Sequence, residues 1–204
     1  MEFIKQPMAI ENKSFEIIAP YLPKNLSAEE IKIYSRIIHA AGDVDYSNII
    51  KISAGAIESG LNAIRAGKNI YTDVEMVRTG INKRELKKYG GEVFCKIADD
   101  DVKIFAEREK ITRAMAAMRM FGESLNDSII AIGNAPTALF EVLSMNIKPA
   151  LIIGVPVGFV GAADSKAELA SQNKIPFITV SGTKGGSSIA VAAVNALIYL
   201  LGRD

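Results

Sequence analysis

Two rhythms of apolar and polar positions run along this chain. From residue 69 onward, short and nearly continuous apolar stretches lie at 69–72, 92–97, 128–133, 150–155 and 176–180. Each is followed by a segment with helical spacing: 74–77 closed by Gly80, 107–121, 136–145, 163–171 and 185–201. Apolar runs of that length, unbroken by alternating polar residues, are strands buried on both faces. Alternation with helices predicts a mostly parallel sheet of about five strands. Right-handed crossovers then wind it into a three-layer α/β/α sandwich of the Rossmann-like kind. Nothing in the pattern marks a repeat or a second domain, so residues 1–204 read as one domain. Its first 26 residues are expected to be irregular, because Pro7, Pro20 and Pro23 interrupt any period.

Upstream of the first strand lies a stretch with a different rhythm. Ser27-Ala28-Glu29-Glu30 has the form of a capping box. Apolar residues then recur at Ile31, Tyr34, Ile37, Ile38 and Ala41, one face of a helix that Gly42 can end in a left-handed cap. His39, the single histidine of the chain, falls in the last turn of that helix. Unpaired carbonyls at a helix end, with Asp43 and Asp45 close behind, favour a charged imidazole. Two readings stand beside each other: a structural histidine bonded to its helix terminus, and a general acid poised near neutral pH. A second helix is expected over residues 53–66, stopped by Gly67.

Composition narrows the possibilities. Lys plus Arg (24) nearly balances Asp plus Glu (23), so no basic excess points to nucleic acid. The lone Cys95 excludes an intrachain disulfide and fits a reducing compartment. The first residues lack the charged-then-apolar form of a signal peptide, and the apolar run 189–201 is too short to span a membrane. A cytoplasmic globule is the expectation. One His and one Cys give no metal-ligand spacing, and Asp99-Asp100-Asp101 reads as a solvated turn, so no metal is expected. Gly-x-Ser-x-Gly is absent, and Cys95 sits inside a predicted strand as an inert thiol.

In such a sheet the ligand site lies beyond the carboxyl ends of the strands. The last strand exit, Ser181-Gly182-Thr183-Lys184-Gly185-Gly186-Ser187, runs glycines, a lysine and serines into a helix N-terminus. Free amides there suit an anion, a carboxylate as well as a phosphate; a tight turn alone would also explain the glycines. Neither a P-loop nor a dinucleotide fingerprint is present. Asn134 and Pro136 read as the cap and first residue of a helix. Arg113 and Arg119, six positions apart, fall on roughly opposite helix faces.

These loops carry a resemblance. Segments 36–43 (RIIHAAGD), 72–77 (TDVEMV), 112–117 (TRAMAA), 133–139 (GNAPTAL), 156–162 (PVGFVGA) and 185–187 (GGS) are similar, in order, to the precorrin-8X methylmutase family of corrin (cobalamin) biosynthesis. The resemblance implies a homodimeric isomerase that moves a methyl group from carbon 11 to carbon 12 of precorrin-8 or cobalt-precorrin-8, a tetrapyrrole polycarboxylate, without an added cofactor. The product would be hydrogenobyrinate or cobyrinate. His39 matches the family's catalytic histidine, with Asp43 orienting it. Arg113, Lys184 and the amides of Gly185, Gly186 and Ser187 would hold acetate and propionate arms, with Ser14, Arg36 and Asn134 as further contacts. The chain departs from the family pattern at Thr183, where a basic residue is usual. A non-catalytic tetrapyrrole carrier of the same fold is the rival reading, and a nucleotide-binding α/β protein a distant third.

Overall fold

The computed structural model describes residues 4–202. Residues 1–3 of the segment expected to be irregular, and 203–204 at the end of the expected domain, lie outside the described residues. In chain order the elements are α1 (Pro7–Ile18), α2 (Ala28–Ala41), β1 (Ile50–Ile52), α3 (Ala56–Arg65), β2 (Ile70–Thr72), α4 (Glu75–Gly80), α5 (Lys83–Leu86), β3 (Val93–Cys95), α6 (Asp100–Glu109), α7 (Arg113–Phe121), β4 (Ile129–Ile132), α8 (Pro136–Ser144), β5 (Leu151–Gly154), α9 (Ala162–Ser171), β6 (Phe177–Val180) and α10 (Ser187–Gly202).

The sheet order is β1-β6-β5-β4-β2-β3. Five strands are parallel, as their unbroken apolar runs require, and β1 lies antiparallel along β6 with Ile50 opposite Val180. The period of two splits each central strand between two cores. Ile129, Ala131, Leu151, Ile153, Ile178 and Val180 face a layer that includes α2, α3, α4 and α10. Ile130, Ile132, Ile152 and Phe177 face α7, α8 and α9. The three-layer sandwich is therefore observed, with six strands in place of about five. The extra one is β1, a three-residue edge strand too short to show a period.

Other differences have local causes. Residues 7–18 form α1, where an irregular segment was expected. Pro7 sits in the first turn, where its missing N–H costs nothing, and Pro20 falls in the short 3-10 turn 19–21 beyond it. The single helix expected over 107–121 is two. Lys110 turns left-handed (φ 56°) to end α6, and the Thr112 hydroxyl accepts the Met115 N–H (3.2 Å) to begin α7. Asp100 and Asp101 lie in the first turn of α6, where the helix dipole favours acids, in place of the expected solvated turn.

α2 forms as its sequence predicts. Ser27 and Glu30 close the capping box (3.2 and 2.7 Å), and Gly42 ends the helix at φ 63°. Its buried face is Ile33, Tyr34, Ile37 and Ile38, with Ile31 left 42% exposed. Burying each of those large side chains contributes about 1.5–3 kcal/mol. α2 packs chiefly against α10, and that contact places its last turn at the carboxyl edge of the sheet.

Candidate active site

Because α2 stops at Gly42, His39 is presented at its exposed end. The Phe15 ring of α1 meets the imidazole edge-on at 6.1 Å between centroids. His39 opens into a cavity of about 470 Å³ between three elements. Arg36, His39 and Ala40 come from α2, Met76 and Gly80 from α4, and Ser187, Ser188, Val191, Asn195 and Tyr199 from α10. Ser187 and Ser188 open α10, so the positive end of a 16-residue helix faces the imidazole cavity. Gly133 makes that approach possible: a Cβ there would stand 2.8 Å from the Ser187 Cα and 2.9 Å from Val77.

Arg36 lies between this cavity and a second one of about 630 Å³ beneath α1, which Tyr199 also lines. Its guanidinium donates to Glu11 (2.5 Å) and lies 4.5 Å from the Tyr199 ring centroid and 5.7 Å from that of Phe15. Tyr199 is fixed in turn, its hydroxyl accepting from Asn82 Nδ2 at 3.0 Å. Asn195 accepts the Asn82 N–H (2.8 Å) and donates to the Gly80 carbonyl (3.1 Å). Ser14 lies on α1 beside Phe15, with its hydroxyl donating to the Ile10 carbonyl (3.0 Å).

Asp43 and Lys184 are joined directly, the Lys184 ammonium donating to the Asp43 carboxylate. The second carboxylate oxygen accepts the Asp45 N–H at 2.9 Å. These bonds, that to Lys184 foremost, hold Asp43 below the usual carboxylate range and raise Lys184 in return. The structure thus ties Asp43 to the loop lysine, where the family resemblance implied that it orients the imidazole. The reason is reach: Gly42 turns the chain away from the helix, toward residues 181–187.

That loop is a folded object. Gly185 (φ 151°) and Gly186 (φ 127°) adopt conformations that side chains resist, and a Cβ on Gly185 would run into the Val155 carbonyl. The Gly186 N–H donates to the Val155 carbonyl (2.9 Å), and the Gly185 N–H faces the Tyr46 hydroxyl. One of the three amides expected to face a ligand, that of Gly186, is therefore engaged within the protein.

Arg113, on α7, lies across the sheet from His39, whereas Asn134 sits at the carboxyl end of β4, next to the Gly133 that packs on Ser187. Arg113 is exposed at the start of α7 and lines a separate cavity of about 360 Å³ with Lys103, Glu107 and Lys110. Asn134 is exposed and is not the helix cap; Ala135 occupies that position without a side-chain bond. The acceptor comes from Asp73, after β2. Its fully buried carboxylate takes the N–H groups of Gly133 (3.0 Å), Asn134 (2.8 Å) and Ala135 (2.7 Å). Burial raises its pKa while these three donors pull it down. Asn82, Tyr199 and Asn195 also escaped sequence reasoning, although Asn195 and Tyr199, four apart in the apolar run of α10, are a visible polar stripe.

Cys95, in β3, is half-buried, and burial pushes its thiol up to about 11. Among the described residues no three His, Cys, Asp or Glu side chains gather as a metal site. Among the same residues no helix is long and apolar enough to cross a membrane. What remains at the carboxyl edge is one imidazole, a helix N-terminus and cations on both sides of the sheet. That set defines an α/β protein whose carboxyl edge places an imidazole beside groups that attract anions.

Comparison with known proteins makes this specific. The family model described as precorrin-8X methylmutase matches residues 9–200. A cobalt-precorrin-8 methylmutase of Leptospira interrogans is 47% identical, covering 94% of this chain and 92% of its own. One from Priestia megaterium is 45% identical, covering 96% and 88%. The crystal structure of a precorrin-8X methylmutase from Thermus thermophilus superposes with a TM-score of 0.85 at 37% identity, covering 94% of this chain and 96% of that one. The chain belongs to the precorrin-8X methylmutase family and is a methyl-shifting isomerase of corrin biosynthesis.

Proposed function

We propose that this protein moves the methyl group of precorrin-8 or cobalt-precorrin-8 from carbon 11 to carbon 12, with His39 as general acid. The observation that carries the assignment is the opening of the chain's one imidazole into a cavity shared with Arg36 and the first turn of α10. The reaction is an isomerisation. The bond from carbon 11 to the methyl breaks as the bond to carbon 12 forms, and the conjugated system rearranges into the corrin chromophore. A proton donated by His39 to a ring nitrogen or its neighbourhood, and returned to the imidazole once the methyl has moved, withdraws electron density along that path, an effect of roughly 10²–10⁴-fold for a placed acid. Enclosure and orientation of a flexible polycarboxylate supply the rest.

In this reading Arg36, Ser187 and the start of α10 receive ligand arms nearest His39. Lys184, set by Asp43 and flanked by Gly185 and Gly186, receives another. Arg113 receives an arm on the far side of the sheet and Asn134 one at its carboxyl edge, and Ser14 supports the α1 wall. No resident cofactor enters; cobalt, where present, arrives inside the substrate. A single cytoplasmic domain over 1–204, working as a homodimer, completes the proposal. The relatives' names include both the cobalt-bearing and the metal-free substrate, so both are assayed.

The test is the visible absorption spectrum of precorrin-8, and of its cobalt form, mixed with wild type, His39→Ala and His39→Asn. A corrin-like spectrum with wild type alone, binding being retained by the variants, supports the assignment. Conversion by the variants removes His39 from the chemistry. Binding without conversion by any of them replaces the enzyme with a carrier.

A further inference from the structure

We propose that Lys166 is a positioning residue for the anion-binding loop 181–187, acting through the backbone carbonyl of Lys184. Lys166 lies on α9, in the layer opposite α2 and α10, and is 1% exposed. Its ammonium donates to the Lys184 carbonyl, so this one side chain reaches across the carboxyl edge of the sheet. From the Lys184 backbone the connection continues through the Lys184 ammonium to Asp43, immediately after the cap that ends the His39 helix. The loop is otherwise tied at its start by Ser181 N–H to the Ile49 carbonyl (2.8 Å), and to the exit of β5 by Gly186 N–H to the Val155 carbonyl and Gly158 N–H to the Thr183 carbonyl (2.9 and 3.1 Å).

A buried ammonium opposes folding unless it is well bonded, and a methionine would fill much the same space without that cost. Burial indeed brings the Lys166 amine down to about 8, which leaves it mostly charged at neutral pH. The charge is accounted for by what it holds: a charge-assisted bond to the backbone at the centre of a glycine-rich loop, which fixes the Lys184 carbonyl directly.

The consequence for ligand affinity rests on the methylmutase reading, whereas the consequence for the loop does not, and the experiment separates them. In wild type, a lysine-labelled nitrogen NMR spectrum should show a slowly exchanging ammonium in contact with Lys184. In Lys166→Met, hydrogen exchange at the Gly158 and Gly186 amides should quicken about tenfold or more, the loss of one charge-assisted bond, while α10 amides hold. KM for the tetrapyrrole should rise about tenfold with kcat within about twofold. Adding Lys166→Met to Lys184→Met should then cost nothing further. Unchanged exchange, or a KM effect that multiplies fully with Lys184→Met, overturns the proposal. Should Lys166→Met not fold, the wild-type spectrum decides, since a missing contact to Lys184 overturns it equally. Absence of conversion by wild type would sink the methylmutase reading and leave the exchange result to judge Lys166.

Discussion

Replacing Asp73 with alanine should destabilise the fold severely, and the structure gives the size of the effect. The carboxylate is fully buried and takes three backbone N–H groups where β4 hands over to α8. A buried donor left without a partner costs about 1–3 kcal/mol. Gly133 is buried, whereas Asn134 is exposed and can turn partly to water. The α8 N-terminus also loses its nearby anion, about 0.3–1 kcal/mol. Release of the carboxylate's own burial cost offsets part of this, leaving a net loss of about 3–5 kcal/mol. Against a stability of about 5–15 kcal/mol, that is a large fraction. For a chain of this length, Tm should fall by roughly 6–20 °C. Asp73→Asn keeps one acceptor oxygen and turns an N–H₂ toward the remaining donors, so it should lose somewhat less, about 2–3 kcal/mol. Urea unfolding followed by circular dichroism measures both, with the slope of the transition unchanged. A loss below about 1 kcal/mol for the alanine variant would refute the capping role.

Other outcomes follow from charges and thiols. Lys166 titrates at about 8 when folded and near 10.5 when unfolded, so between those values the unfolded chain binds more protons and stability rises with pH. Wild-type stability minus that of Lys166→Met should climb by up to about 3 kcal/mol between pH 7 and 11, and a flat difference would contradict it. Lys184→Met should move the Asp43 carboxyl up toward its ordinary titration range, the Asp45 N–H bond remaining, as seen by carbon NMR. The ion pair contributes above that range and is lost as pH falls through the lowered value, so acid should uncouple the loop from the α2 terminus. Cys95 should resist alkylation at pH 8 in the native protein and react in urea, because burial holds its thiol at about 11.

The sandwich was legible because its strands leave so little choice. Four-residue runs such as Ile129–Ile132, buried at every position, can only be central strands between two layers. α2 was legible because the capping box and Gly42 mark both its ends. β1 was not, since three residues carry no period and its pairing depends on β6, some 130 positions later. The Lys110 break was hidden because a left-handed lysine leaves no compositional mark. At the site, His39 and Lys184 could be found from type and place. The pairing of Asp43 with Lys184, the capping by Asp73 and the reach of Lys166 are long-range contacts between residues that sequence lists far apart.

The same contacts alter how ligand binding at this edge must work under the proposed function. Arg36 and Lys184 are not bare cations awaiting carboxylates; Glu11 and Asp43 already occupy them. A ligand carboxylate arriving at either must share or displace an acid, so the net gain per arm is smaller than a free cation would give. In exchange, both side chains are already oriented, and less conformational entropy is lost when a ligand binds. Arg113, exposed and without an ion pair among the described residues, is the opposite case: a freely hydrated charge on the far layer. A polycarboxylate bridging the two sides would take its orientation from the paired cations near His39 and its long-range attraction from the unpaired one. Neutralising Arg113 should accordingly slow association and weaken its salt dependence, while changes at Arg36 or Lys184 should be felt in how the ligand is held beside the imidazole.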